Sequence, residues 1–158
     1  MRELILLRHA HAEPITEGQA DIDRPLSPQG LAEAEAAGRW LAAQGILPDR
    51  VLCSPARRSR ETLEAVLEAI GYVDQRLEER IYDGTAGTLA DLADANRDAV
   101  RLMMVGHNPG FERLAALMHS GQSGDYRGMP TASVMVLALP ADAVVEPGVA
   151  TLSAFWWP

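Results

Sequence analysis

The sequence predicts an α/β fold, a three-layer α/β/α sandwich around a mostly parallel sheet of roughly six strands with an antiparallel edge near the C-terminus. Three observations carry this. Short apolar runs alternate with segments of helical periodicity, the order that builds strand–helix–strand units with short connections. Two of the helical segments open on a Ser-Pro pair, Ser27-Pro28 and Ser54-Pro55, a helix-start signal. Near the end the alternation stops, and residues 132–139 and 149–155 read as two strands joined only by a turn containing Pro and Gly.

The first strand covers residues 3–8, and residues 9–26 follow as an acidic, Gly-containing loop. At about eighteen residues that loop is long enough to expect a role in function or in binding. Ser27 caps the first helix, Leu31, Ala34, Gly38 and Leu41 form its apolar stripe, and Gly45 stops it. Residues 49–53 are the second strand. Ser54-Pro55 then opens a helix whose buried face is Leu63, Val66, Leu67 and Ile70, ending at Gly71. A third strand spans 73–77, a loop 78–87 and a short helix 89–96. The fourth strand, 101–105, leads to Asn108-Pro109, which caps a helix with the stripe Phe111, Leu114, Ala115 and Met118.

The chain of 158 residues suits one domain, 1–158, with 47% hydrophobic and 23% charged residues. A net charge of −8 argues against nucleic acid or an anionic membrane as partner. The basic residues number 14, and all are arginine. That excludes a lysine Schiff base and a P-loop lysine, and it leaves the bidentate guanidinium as the means of holding phosphate. Cys53 is the single cysteine, so no intrachain disulfide forms, which fits a reducing cytoplasm. The apolar run before Arg8 is only four residues long, too short for a signal peptide, and no apolar stretch is long enough to span a membrane.

Two histidines stand where a strand gives way to a loop or helix: His9 in Arg8-His9, and His107 in Gly106-His107-Asn108-Pro109. In an open parallel sheet, ligands bind at the carboxyl ends of the strands. A neutral imidazole there can attack phosphorus, while an adjacent arginine stabilises the charge on the transferred group. Ser54-Pro55-Ala56-Arg57-Arg58-Ser59-Arg60 brings three arginines to a helix start, where backbone N–H groups already favour an anion. Glu78-Glu79 follows the third strand and offers a carboxyl that could protonate a leaving group. Each motif has a plainer reading. The histidines can pack or cap, the arginines can pair with Glu61 and Glu64, and the acids can be surface groups. His9-x-His11 has metal-ligand spacing but no further ligands at a comparable distance. His119 reads as a surface or packing residue, and Cys53 as buried and structural.

The order strand–Arg-His, strand–Ser-Pro-x-x-Arg, acid after the third strand, strand–Gly-His-Asn-Pro resembles the histidine phosphatase superfamily, or phosphoglycerate mutase-like fold. Arg24-Pro25-Leu26-Ser27-x-x-Gly30 and Gly-His-Asn-Pro-Gly are most similar to the SixA-type phosphohistidine phosphatases. The resemblance implies a nucleophile at His9 and a phosphate pocket completed by Arg8, Arg58 and His107. It implies a proton donor at Glu79, which matches the mutase branch. It also implies no metal and no cofactor. Residues 8–13 depart from the mutase branch, reading Arg-His-Ala-His-Ala-Glu where mutases carry Gly after the Arg-His pair. There is also no long lid-forming insertion after the third strand.

The expected activity is metal-independent hydrolysis through a phosphohistidine on His9, with phosphohistidine on a protein as substrate, in the cytoplasm. Small phosphomonoesters as substrates, a non-catalytic phosphate-binding module, and a metal hydrolase using His9 and His11 are the alternatives. The sequence leaves the oligomeric state open. The apolar end Ala154-Phe155-Trp156-Trp157-Pro158 reads as core, edge cover or subunit contact.

Overall fold

The computed structural model describes residues 1–121 and 128–158. The strands are β1 (Arg2–Arg8), β2 (Arg50–Cys53), β3 (Asp74–Leu77), β4 (Arg101–Gly106), β5 (Val134–Leu139) and β6 (Thr151–Trp156). The helices are α1 (Pro28–Gln44), α2 (Arg57–Ile70), α3 (Ala86–Ala95) and α4 (Gly110–Ser120), with single 3₁₀ turns at Asp21–Asp23 and Glu79–Ile81. One six-stranded sheet runs in the order β3-β2-β4-β1-β5-β6. β3, β2, β4 and β1 are parallel, while β5 and β6 add the antiparallel edge predicted from the sequence.

Successive strand residues point to opposite faces, and each face receives its own pair of helices. Ile5, Leu7, Val51, Met103 and Val105 meet Ala37 and Leu41 of α1 and Leu63 and Val66 of α2. Leu4, Leu6, Leu52, Leu102 and Met104 meet Leu89 and Leu92 of α3 and Phe111, Leu114 and Met118 of α4. Both faces of the four parallel strands are covered except at β3, whose residues are all exposed as the outer edge. At the other edge Trp156 stacks on Trp40, ring centroids 5.6 Å apart, and Phe155 packs on the core, while Trp157 stays exposed.

Local chemistry departs from the sequence reading at several points. Ser27 caps α1 as predicted, accepting from the Gly30 amide at 3.0 Å. Leu31 does not join the buried stripe and is 48% exposed. The buried line runs through Gly30, Ala34, Ala37, Gly38 and Leu41, because Gly30 lies against the His11 carbonyl and fixes the helix's rotation. The short third helix starts earlier than predicted, at Ala86, because Thr85 caps it by accepting from the Thr88 amide. Ser54-Pro55 does not begin α2. That helix starts at Arg57 behind Ala56, without a side-chain cap, and Ser54 is used elsewhere.

Candidate active site

The parallel order brings β1, β2 and β4 side by side, so their carboxyl ends deliver Arg8 and His9, Ser54, and His107 to one place. The His9 backbone is fixed on both sides. Its amide donates to the Gly106 carbonyl at 2.9 Å, and its carbonyl accepts from the Ala132 amide at 3.1 Å. The Ala10 amide donates to Thr62 Oγ1 at 2.9 Å, and that hydroxyl donates to the Arg58 carbonyl at 2.7 Å. The strand end that carries His9 and the helix that carries Arg58 are thereby tied together.

His9 Nδ1 lies 2.7 Å from the Ala10 carbonyl oxygen. A carbonyl only accepts, so Nδ1 carries the proton and Nε2 carries the lone pair. Burial, reinforced by Arg58, Arg8 and Arg24, pushes the His9 pKa down to about 4. The ring is therefore neutral at pH 7, the form a nucleophile needs.

His107 is 8% exposed and tilts against His9, with ring centroids 5.1 Å apart. Its Nε2 lies 2.7 Å from Ser54 Oγ. The Ser54 hydroxyl oxygen already accepts from the Ala56 amide at 3.2 Å. Nε2 is thus engaged by Ser54, while Nδ1 is a buried atom with no partner among the described residues. Burial first, then His9 and Arg58, push the His107 pKa down to about 3.

Arg8 Nη1 donates to the Met129 carbonyl at 2.7 Å, which orients its guanidinium. Asn108 supports the same carbonyl at 3.0 Å and bonds Glu112 Oε2 at 3.1 Å, and Glu112 in turn accepts from the Met129 amide at 3.3 Å. Arg58 is 6% exposed. Both of its terminal nitrogens are held by Asp21: Nη1 by the main-chain carbonyl at 2.9 Å and Nη2 by the carboxylate at 3.0 Å. Asp21 also accepts from Tyr82 Oη and from Arg24 Nη1. The Tyr82 hydrogen bond, then those from Arg24 and Arg58, hold its carboxyl far below the usual range. Tyr82 meets His107 edge-on, and the Arg58 guanidinium carbon lies 5.8 Å from the Tyr82 ring centre.

These groups line a cavity of about 390 Å³ whose wall includes Arg8, His9, Arg58 and His107. Of the five site residues expected from the sequence, these four meet there. Glu79 does not line it. It sits exposed on the 3₁₀ turn, whereas Tyr82 and Asp83 beyond that turn reach the cavity wall. His11 lines the mouth with its Nδ1 2.6 Å from Ser27 Oγ, so that nitrogen is committed to the loop stem. Cys53 is buried, and burial pushes its thiol up to about 12, which keeps it an unreactive thiol at neutral pH. His119 is exposed on the last turn of α4.

Sequence reasoning did not assign Asp21, Arg24, Tyr82 or Ser54 to the site. Arg24 stood inside the Arg-Pro-Leu-Ser motif, which was a usable signal. Asp21 had none, because nothing in the loop separates it from Glu13, Glu17 or Asp23.

Known proteins share this fold. The Rv1276c protein of Mycobacterium tuberculosis is 37% identical, the match covering 96% of this chain and 99% of that protein. Among solved structures, the putative phosphohistidine phosphatases SixA of Agrobacterium tumefaciens and Nakamurella multipartitia superpose with TM-scores of 0.87 and 0.83. They are 30% and 31% identical to this chain; each match covers 99% of it, with 98% and 96% of the respective partner. The histidine phosphatase superfamily (branch 1) matches residues 4–136, and the chain belongs to that superfamily.

Proposed function

We propose that the protein is a phosphatase that works through a phosphohistidine on His9, with phosphohistidine on a protein as its substrate and the cytoplasm as its compartment. The observation that carries the reading is the state of His9. It is a neutral ring whose Nδ1 is tied to Ala10, leaving the Nε2 lone pair in a cavity lined by the buried Arg58, the half-buried Arg8 and a second imidazole.

In this reading a phosphoryl group docks against Arg8, Arg58 and Nδ1–H of His107. His9 Nε2 attacks phosphorus in line with the departing group, and water then hydrolyses the phosphohistidine. The positive charge that stabilises the equatorial oxygens comes from the guanidinium groups and the imidazole N–H, so the reading assigns no metal and no cofactor. Asp21, the carboxylate bound to Arg58, is held ionised and cannot supply a proton to a leaving group. Glu79 stands outside the cavity wall. With neither Asp21 nor Glu79 placed to give a proton, the reading favours a P–N over a P–O bond, since an already protonated phosphoimidazole needs no acid to depart.

The test incubates chelator-treated protein with a phosphohistidine-bearing protein and, separately, with a small phosphomonoester, alongside His9→Ala. Phosphate release from the first substrate, lost in His9→Ala, is the expected result. Release only from the ester assigns a small-molecule phosphatase. Phosphate binding with no release from either assigns a non-catalytic module.

A further inference from the structure

Charge in the cavity is layered. One wall is cationic, formed by the buried Arg58 and the half-buried Arg8 beside two neutral imidazoles. The exposed mouth carries two carboxylates, Asp21 and Asp83, against one arginine, Arg24. Arg24 is already engaged, by Asp21 at 3.1 Å and by the Glu13 carbonyl at 2.9 Å. Asp21 is likewise taken up by Arg58, Arg24 and Tyr82. Asp83 differs: it lines the cavity with no hydrogen bond or ion pair among the described residues. Arg113, which lines an adjoining cavity together with Asp83, makes no ion pair with it.

From this layering we infer that Asp83 is a specificity-determining residue, accepting the distal N–H of a protonated phosphoimidazole and disfavouring leaving groups that carry negative charge. The inference rests on the phosphatase reading above and names the leaving group that its site selects. The chemistry balances without a proton donor. Phosphohistidine enters with its distal nitrogen protonated. The bond from His9 Nε2 to phosphorus forms as the substrate's P–N bond breaks, and the electron pair of that bond stays on the departing nitrogen. The imidazole leaves neutral, with the distal N–H still on the ring. A carboxylate beside that N–H stabilises the protonated form, which is the form that departs readily. An ester whose leaving group bears a carboxylate meets the same Asp83 as a like charge.

Asp83→Asn tests this, because it removes the charge from an exposed side chain and leaves its shape. The readout is the ratio of kcat/KM values for a phosphohistidine peptide, para-nitrophenyl phosphate and phosphoglycolate. The expected result is a fall of about tenfold in the peptide to para-nitrophenyl phosphate ratio, the worth of one exposed charge-assisted hydrogen bond. The phosphoglycolate to para-nitrophenyl phosphate ratio should rise. Ratios unchanged from wild type, with the peptide still turned over, overturn the role of Asp83 and leave the phosphatase reading standing. Wild-type protein that releases no phosphate from the peptide overturns both.

Discussion

Ser54 Oγ lies 2.7 Å from His107 Nε2, and that contact engages the ring nitrogen opposite the unpartnered Nδ1. In the proposed mechanism the Ser54 oxygen accepts from the Ala56 amide and its hydroxyl donates to the ring, which leaves Nδ1–H for a phosphate oxygen. Ser54→Ala removes the donor, and the ring is free to move its proton to Nε2. We expect kcat/KM on para-nitrophenyl phosphate to fall about tenfold, the cost of one mispaired hydrogen bond to a charged group. An unchanged kcat/KM removes Ser54 from the account.

The depressed histidines set the pH behaviour. His9 titrates near 4 and His107 near 3 in the folded chain, so both remain neutral well below pH 6. Measured kcat should stay level from pH 7 to about 5 and fall only as the pH approaches 4. The same shifts act on stability. Between the unfolded value of about 6.5 and the folded values, the unfolded chain binds more protons, so stability is complete above pH 6.5 and is lost as the pH drops toward 4. Denaturant titrations at pH 7 and pH 5 should show the loss, and His9→Ala should shrink it.

Arg58 is held at two points by a single loop residue, 2.9 Å to the Asp21 carbonyl and 3.0 Å to its carboxylate. Lysine keeps the charge but has no fork with which to satisfy both points or to present a flat edge to a phosphoryl group. Arg58→Lys should lower kcat/KM by about a hundredfold, on the scale of one lost transition-state donor. Recovery of wild-type rates by lysine contradicts a bidentate role.

Much of the fold could be read from the sequence because strand alternation and helix periodicity are local signals, and each apolar face found a layer to cover. Arg8, His9, Arg58 and His107 were legible for a related reason: each stands at a strand end or helix start, a place that sequence marks. What failed was the distinction between identical signals. Ser27-Pro28 and Ser54-Pro55 look the same in sequence, yet Ser27 caps its helix while the tertiary fold turns Ser54 to His107. Glu79 follows its strand as expected, but the 3₁₀ turn leaves it exposed and carries Tyr82 and Asp83 to the cavity. Asp21 lies in a loop without periodicity, where only three-dimensional contact chooses one acid among several.

Gly30 shows how the loop stem depends on one missing side chain. A Cβ at this position would overlap the His11 carbonyl, a backbone group that cannot step aside alone. That same carbonyl accepts from the Ser27 amide at 3.0 Å and helps close the loop carrying Asp21 and Arg24. Gly30→Ala should destabilise the fold by about 1–3 kcal/mol, the usual cost of overpacking, read from the denaturant midpoint. A stability equal to wild type contradicts the close approach.

The central claim is a covalent bond between phosphorus and His9 Nε2. Rapid quench of the enzyme with substrate in alkali, followed by peptide mass mapping, tests it most directly. The account predicts a phosphoryl adduct on His9 that is stable to base, labile to acid, and absent from His9→Ala. Turnover with no adduct on His9, or with the phosphoryl group on another residue, contradicts it.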